Sequence, residues 1–193
     1  MLKSFPRHAL FLSLALLFTT PAHAFEQTQG GRSQAIAVSG TMQVLFTPED
    51  DAAGQIVQAI AHAQKQVLVQ TFSFTSKEIA EALISAKQRG VDVRVVTDAE
   101  QIQRMARSKV PTMAAGGVPV FVDSQHASAH NKVMVIDAGS AKPVVITGSF
   151  NFTNAAQFKN AENLLIFRGN RELTATYLEN WRRHYEHSQP LAK

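Results

Sequence analysis

Cysteine is absent from the chain. That excludes disulfides, cysteine-ligated zinc and thiol nucleophiles, and an exported protein of this composition relies on its core alone. No apolar run approaches the roughly 20 residues that a bilayer-spanning helix needs. No sign of charge dominates: 19 Lys and Arg stand against 15 Asp and Glu. So mild a basic balance says little by itself about nucleic acid. No internal repeat is visible, and no Asp, Glu and His cluster has metal-ligand spacing, so neither metal nor cofactor is expected.

What is present begins with a leader. Lys3 and Arg7 make a positive start, Ala9 to Phe18 is apolar except for Ser13, and Ala22-His23-Ala24 follows. This is the order of a cleaved secretory signal over residues 1–24, implying a periplasmic protein; the alternative is a membrane anchor. Cleavage after Ala24 leaves 169 of the 193 residues, removes Lys3 and Arg7 but no acid, and lowers the formal charge from +4 to +2. Residues 25–39, rich in Gln, Gly, Ser and Ala, form a flexible lead-in. Residues 40–193 are then a single domain of a size that supports a core.

Within that domain, strands are expected at Met42–Phe46, Val67–Phe74, Val91–Thr97, Val118–Asp123, Lys132–Ile136, Val144–Thr147 and Leu164–Phe167. Helices are expected at Ala52–Lys65, Lys77–Arg89, Glu100–Ser108 and Arg171–His187, with Gly90 as a left-handed cap and Asp50-Asp51 as a helix start. Alternation of the two implies an α/β domain with a mixed, mostly parallel sheet sandwiched between helices.

The chemistry gathers in His130-Asn131-Lys132-Val133-Met134-Val135-Ile136-Asp137. On a strand His130 and Lys132 share a face, about 7 Å apart at Cα. An imidazole beside a fixed cation suits a phosphate: one group attacks and the other neutralises oxygens. Asp137 has the opposite parity and is assigned to holding the strand end. Ser149 and Asn151, in Gly148-Ser149-Phe150-Asn151, share parity and offer a hydroxyl and an amide. Glu162 precedes the next strand, and a carboxylate near an imidazole fixes its tautomer.

His-x-Lys-x4-Asp followed by Gly-Ser-x-Asn resembles the signature of the phospholipase D superfamily. The stretch Gly148 to Ala156, with Asn160-Ala161-Glu162-Asn163, is similar to the small secreted EDTA-resistant bacterial nucleases, which carry one motif per chain and act as dimers. The likeness runs from about Met42 to the final helix. It implies His130 as nucleophile, Lys132, Ser149 and Asn151 as phosphate ligands, Glu162 as the partner of His130, and Asp137 in the signature's acidic position. It implies a metal-independent phosphodiesterase, here a non-specific endonuclease acting on DNA and RNA through a phosphohistidine. In-line displacement needs a second imidazole on the far side of phosphorus. His62, His126, His184 and His187 lack a Lys two residues on, so the second site comes from a second chain, and a homodimer sharing its active site is expected. The alternatives are a phospholipid phosphodiesterase and a nucleic-acid-binding protein without turnover.

Other positions admit two readings. His126 is a substrate contact or ordinary loop polarity. Arg104, Arg107 and Lys109 form a strip for a nucleic-acid backbone or a solvated face. Arg182, Arg183 and His184 read as a solvated helix end, and Phe150 and Phe152 as core or dimer contacts. Glu162 read from spacing alone is a solvated acid, and His130 a strand-end histidine.

Overall fold

The computed structural model describes residues 35–191, apart from the side chains of residues 103 and 104. The leader and residues 25–34 of the lead-in lie outside the described residues; residues 35–39 have no regular structure.

The strongest fold signal is Lys-Val-Met-Val-Ile, which forms β5 (Lys132–Ile136) with all five residues buried. A strand apolar at successive positions must be covered on both faces. The sheet that contains it has eight strands in the order β1 (Thr41–Thr47), β7 (Glu162–Arg168), β6 (Val144–Gly148), β5, β2 (Gln66–Thr71), β3 (Asp92–Asp98), β4 (Val120–Asp123) and β8 (Gln189–Pro190). One face carries the larger core, in which Val67, Val69, Val93, Val95, Met134 and Ile146 meet Ile56 and Ile60 of α1 (Ala52–Ala61) and Ile79 and Leu83 of α2 (Lys77–Gln88). The other face carries Leu68, Val96, Val133 and Val135, covered by Trp181 of α6 (Arg171–His187). Each such aliphatic side chain contributes about 1.5–3 kcal/mol on burial. Trp181 also donates its indole N–H to the Val69 carbonyl at 3.0 Å. The expected α/β layering is present.

The expectation of a mostly parallel sheet is corrected. Only β2–β3 and β3–β4 are parallel. The pairs β1–β7, β7–β6, β6–β5, β5–β2 and β4–β8 are antiparallel. Parallel neighbours need a crossover of a dozen residues or more, whereas antiparallel ones need only a turn. α2 supplies such a crossover between β2 and β3. The β5–β6 link, residues 137–143, is too short for one; the β6–β7 link, residues 149–161, carries only the short α5 (Asn154–Phe158), and β7 returns antiparallel to β6.

Local signals set the helix ends. Ser76 and Asn170 cap α2 and α6 by accepting the N–H of Ile79 and Leu173. Gly90 has φ +91°, the left-handed conformation expected after α2. The expected helix at 100–108 is shorter, α3 (Ala99–Arg104). Two further short helices, α4 (Val110–Ala115) and α5 (Asn154–Phe158), were not anticipated, because five or six residues carry too little periodicity. Phe150 and Phe152 are fully buried, so they are core.

Candidate active site

Antiparallel pairing brings the motifs together at one end of the sheet. Thr71 at the end of β2 lies opposite Lys132 at the start of β5. Val133 pairs with Thr147, so Gly148 follows beside Lys132, and Gly148 pairs in turn with Leu164 of β7. His130, Lys132, Ser149 and Glu162 therefore come from neighbouring strand ends, although 32 positions separate the first from the last.

His130 is exposed and Lys132 buried. Lys132 Nζ donates to the His130 carbonyl at 2.7 Å and lies 2.9 Å from Nδ1 and 3.2 Å from Nε2 of the ring. Burial pushes Lys132 down from 10.5 to about 8, while the charge of Glu162 pulls it back up. The cation is poorly hydrated and close to an exposed imidazole, an arrangement that suits an anionic oxygen. Phe72, just beyond β2, completes the pair from below. Its ring centroid is 4.3 Å from that of His130, and Lys132 Nζ lies 5.1 Å from it. Nothing in the sequence distinguished Phe72 from any other residue of its strand.

Ser149 is exposed and donates to Glu162 Oε2 at 2.6 Å; Asn160 donates to Oε1 at 2.9 Å. The described hydrogen bonds of Glu162 come from these two residues and not from His130. It reaches the His130–Lys132 pair through the field it exerts on Lys132. Gly148 is required here: its φ is +142°, and a Cβ would be driven into the Asn163 carbonyl oxygen that receives the Ser149 N–H. Asn151 lines an adjoining depression with Ser73, Thr75 and Arg107, and its Oδ1 is buried without a hydrogen-bond partner. An unpaired buried oxygen of this kind costs about 1–3 kcal/mol. Asp137 stands at the far end of β5 with φ +51°. Its carboxylate accepts the backbone N–H groups of Gln64 (2.9 Å), Lys65 (2.7 Å) and Gln66 (3.0 Å), which clasps the approach to β2 onto β5.

Two clefts frame these residues. One, of about 500 Å³, is lined by His130, Lys132 and Gly148 with Tyr177, Asn180 and Arg183 of α6. Arg183 thus faces the site rather than forming only a solvated helix end. The other, about 690 Å³, adjoins the Asn151 depression through Thr75 and Arg107 and is ringed by Lys77, Arg107, Lys109 and Lys159. Two of the three residues of the basic strip read from sequence, Arg107 and Lys109, lie there; the Arg104 side chain is outside the described residues.

His126 and His184 do not act as loop polarity or helix-end charge. With His187 they converge on Asp123, at 2.9, 3.0 and 3.0 Å from its Oδ2. Burial pushes the Asp123 carboxyl up, but these hydrogen bonds outweigh it and hold the group well below the usual carboxylate range. Burial lowers His184, against the pull of Asp123.

Comparison with known proteins gives the family. Residues 56–185 match the family described as cardiolipin synthase, PLD-like domain. A phospholipase D of Rickettsia prowazekii is 38% identical over 136 residues, 70% of this chain and 63% of that protein, so the chain spans under two thirds of that relative. The human mitochondrial cardiolipin hydrolase is 31% identical over 141 residues, 73% of this chain and 54% of its own length. The crystal structure of Nuc from Salmonella typhimurium, described as a phospholipase D family member, superposes with a TM-score of 0.73 at 32% identity, covering 80% of this chain and 100% of Nuc. NucT from Helicobacter pylori, 21% identical, shares the fold with a TM-score of 0.70 over 79% of this chain and 100% of its own. Strand-end motifs, family match and superposition converge on one assignment: the chain belongs to the phospholipase D superfamily of phosphodiesterases.

Proposed function

We propose that the protein is a metal-independent nuclease that hydrolyses nucleic acid through a phosphohistidine, with two chains building each active site. The observation that carries this reading is the His130–Lys132 contact at a strand end, beside Ser149, Glu162 and a basic depression. His130 of one chain attacks phosphorus as the bond to the leaving oxygen breaks. That oxygen takes a proton from His130 of the second chain, placed on the opposite side of phosphorus. The second imidazole, now neutral, takes a proton from water as the water attacks, and the phosphorus–nitrogen bond breaks. Lys132, Ser149 and Asn151 neutralise the phosphate oxygens throughout.

Among the described residues, a single chain does not bring another imidazole to His130. His126, His184 and His187 gather at Asp123, and His62 Nδ1 bonds the Gln58 carbonyl at 2.7 Å. The edge strand supports pairing with a second copy. Met42, Val44 and Phe46 of β1 are 53%, 42% and 59% exposed and alternate with inward Leu45 and Thr47. Phe46 pairs with Asn163, beside Glu162, so the apolar stripe abuts the site. Large exposed apolar side chains in one row mark an association surface.

Lys77, Arg107, Lys109 and Lys159 around one depression favour a polyanion with repeated phosphates over a lipid headgroup. The names of the relatives keep phospholipid as the second reading. Plasmid DNA, RNA and cardiolipin vesicles offered side by side in excess EDTA distinguish the two: nucleic acid should be degraded and the vesicles left intact. Loss of all activity in chelator at a temperature where the chain stays folded, with rescue by a divalent ion, would overturn the mechanism. Release of headgroup without nucleic-acid cleavage would establish the lipid reading.

The first 24 residues support export to the periplasm. Mass spectrometry of protein from that compartment should find Phe25 at the N-terminus; intact Met1 in a membrane fraction would establish an anchor instead. Among the described residues no helix is long and apolar enough to cross a membrane.

A further inference from the structure

Asp123 closes β4, and His126 follows three residues on. His184 and His187, also three apart, occupy the last turn of α6. The fold joins these two pairs across 61 and 64 residues. Their four ligand atoms all lie within 4.8 Å of one another. Asp123 is fully buried, and its other oxygen accepts the N–H groups of Gln125 and His126 at 3.1 and 3.4 Å. The three imidazoles retain 33%, 16% and 22% side-chain exposure, which leaves a path for an ion.

With protein alone this arrangement is crowded. A carboxylate oxygen offers about two lone-pair sites, yet three ring nitrogens surround Oδ2, and their rings stand 4.8–5.4 Å apart. A dication removes the conflict, because each nitrogen then directs a lone pair inward instead of competing to donate a proton. In a tetrahedral site with bonds of about 2.1 Å, neighbouring ligand atoms are about 3.4 Å apart. The three oxygen–nitrogen separations of 2.9–3.0 Å already fall near that edge. A bound ion requires the wider nitrogen–nitrogen gaps, up to 4.8 Å, to narrow by side-chain rotation on a loop and a terminal helical turn. We propose that Asp123, His126, His184 and His187 bind one Zn²⁺ per chain in a structural site, apart from the His130 centre. Four protein donors leave no open position for substrate, and imidazole donors select zinc over magnesium or calcium. The ion clamps the end of α6, and the β8 segment that follows it, to the sheet edge at β4. In a chain with no cysteine, histidine and aspartate are the residues left for such a clamp.

The test uses untagged mature protein stripped with EDTA and dialysed, then titrated with Zn²⁺ by calorimetry. One ion per chain should bind with a Kd below about 1 μM, and Zn²⁺ at about a hundredfold excess over Kd should raise Tm by roughly 5–10 °C. Co²⁺ should give the intense visible bands of a four-coordinate site. His187→Ala, at a partly exposed helix end where folding tolerates truncation, should weaken binding at least tenfold, and His184→Ala with His187→Ala at least a hundredfold; His130→Ala should leave it unchanged. Asp123→Asn should abolish the Co²⁺ bands. Absence of stoichiometric binding at about 10 μM Zn²⁺, or affinity that survives the double variant, would overturn the proposal. Loss of Zn²⁺ with turnover retained at low temperature leaves the nuclease mechanism standing, so the two readings fail separately.

Discussion

Mixing wild-type chains with an excess of His130→Ala chains should extinguish nuclease activity as the square of the wild-type fraction. If each phosphate needs one His130 from each chain, a mixed dimer has one imidazole and is nearly dead. Only wild-type homodimers contribute. At one wild-type chain in ten, about 1% of full activity should remain if sites are shared, against about 10% if each chain works alone. The structural warrant is the exposed His130 with Phe72 and Lys132 as its ring neighbours, and the other described histidines committed to Asp123 or to α1. A second arm tests the surface. Phe46→Glu places a charge in the apolar stripe of β1 without touching the buried face of that strand, so it should yield a folded monomer on a sizing column with turnover down at least a hundredfold. A fully active Phe46→Glu monomer, or a linear mixing curve, would remove the shared site.

Lys132→Met should destroy turnover and stabilise the fold. Its ammonium is held at about 8 against 10.5 by burial. The unfolded chain therefore binds more protons than the folded one between those values, and stability rises with pH across that window. Below pH 8 the folded chain carries the full cost of a buried charge, about 3 kcal/mol. Methionine relieves that cost and loses the hydrogen bond to the His130 carbonyl, worth about 1 kcal/mol. A net gain of about 2 kcal/mol, or roughly 4–8 °C in Tm, is expected at neutral pH. Turnover should fall by about two to three orders of magnitude, as when a preorganised donor to a developing anion is removed. In the wild type, kcat/KM should decline above pH 8 as Lys132 loses its proton. Glu162→Gln removes the charge that holds this value up, so the alkaline limb should move to lower pH. In Lys132→Arg the residual activity should lose that limb. An unchanged profile in both variants would take Lys132 out of the rate-determining chemistry, and a fall in Tm for Lys132→Met would show its charge to be a net support of the fold.

The parts legible in the sequence were those whose signal is local. β5 appeared with its bounds intact because five buried residues in a row admit few other readings, and α6 because its cap and amphipathic face span 17 residues. Strand parity put His130 beside Lys132; β5 begins only at Lys132, and His130, two residues before it, meets Lys132 Nζ from outside the strand. Whatever depended on which strands became neighbours was hidden. Glu162 meets Ser149 because β6 and β7 are antiparallel with Gly148 opposite Leu164, and nothing in the spacing of 13 residues announces that. Arg183 reaches the cleft only because α6 packs across the sheet. The Asp123 cluster is the extreme case: each half is two residues three apart, too common to notice, and the halves lie on different elements.

β5 and β6 form a hairpin whose open end carries Lys132 and Gly148 and whose closed end is residues 137–143. Gly139, Ala141 and Lys142 at that closed end are exposed. Five residues of strand set the two ends about 17 Å apart. The hairpin therefore separates a working tip from a handle. A fluorophore, a short peptide insert or an immobilisation linker joined at 139–142 would stand clear of the catalytic end, provided that the Asp137 clasp on Gln64, Lys65 and Gln66 is left whole. The chain can be held by the end that does no chemistry.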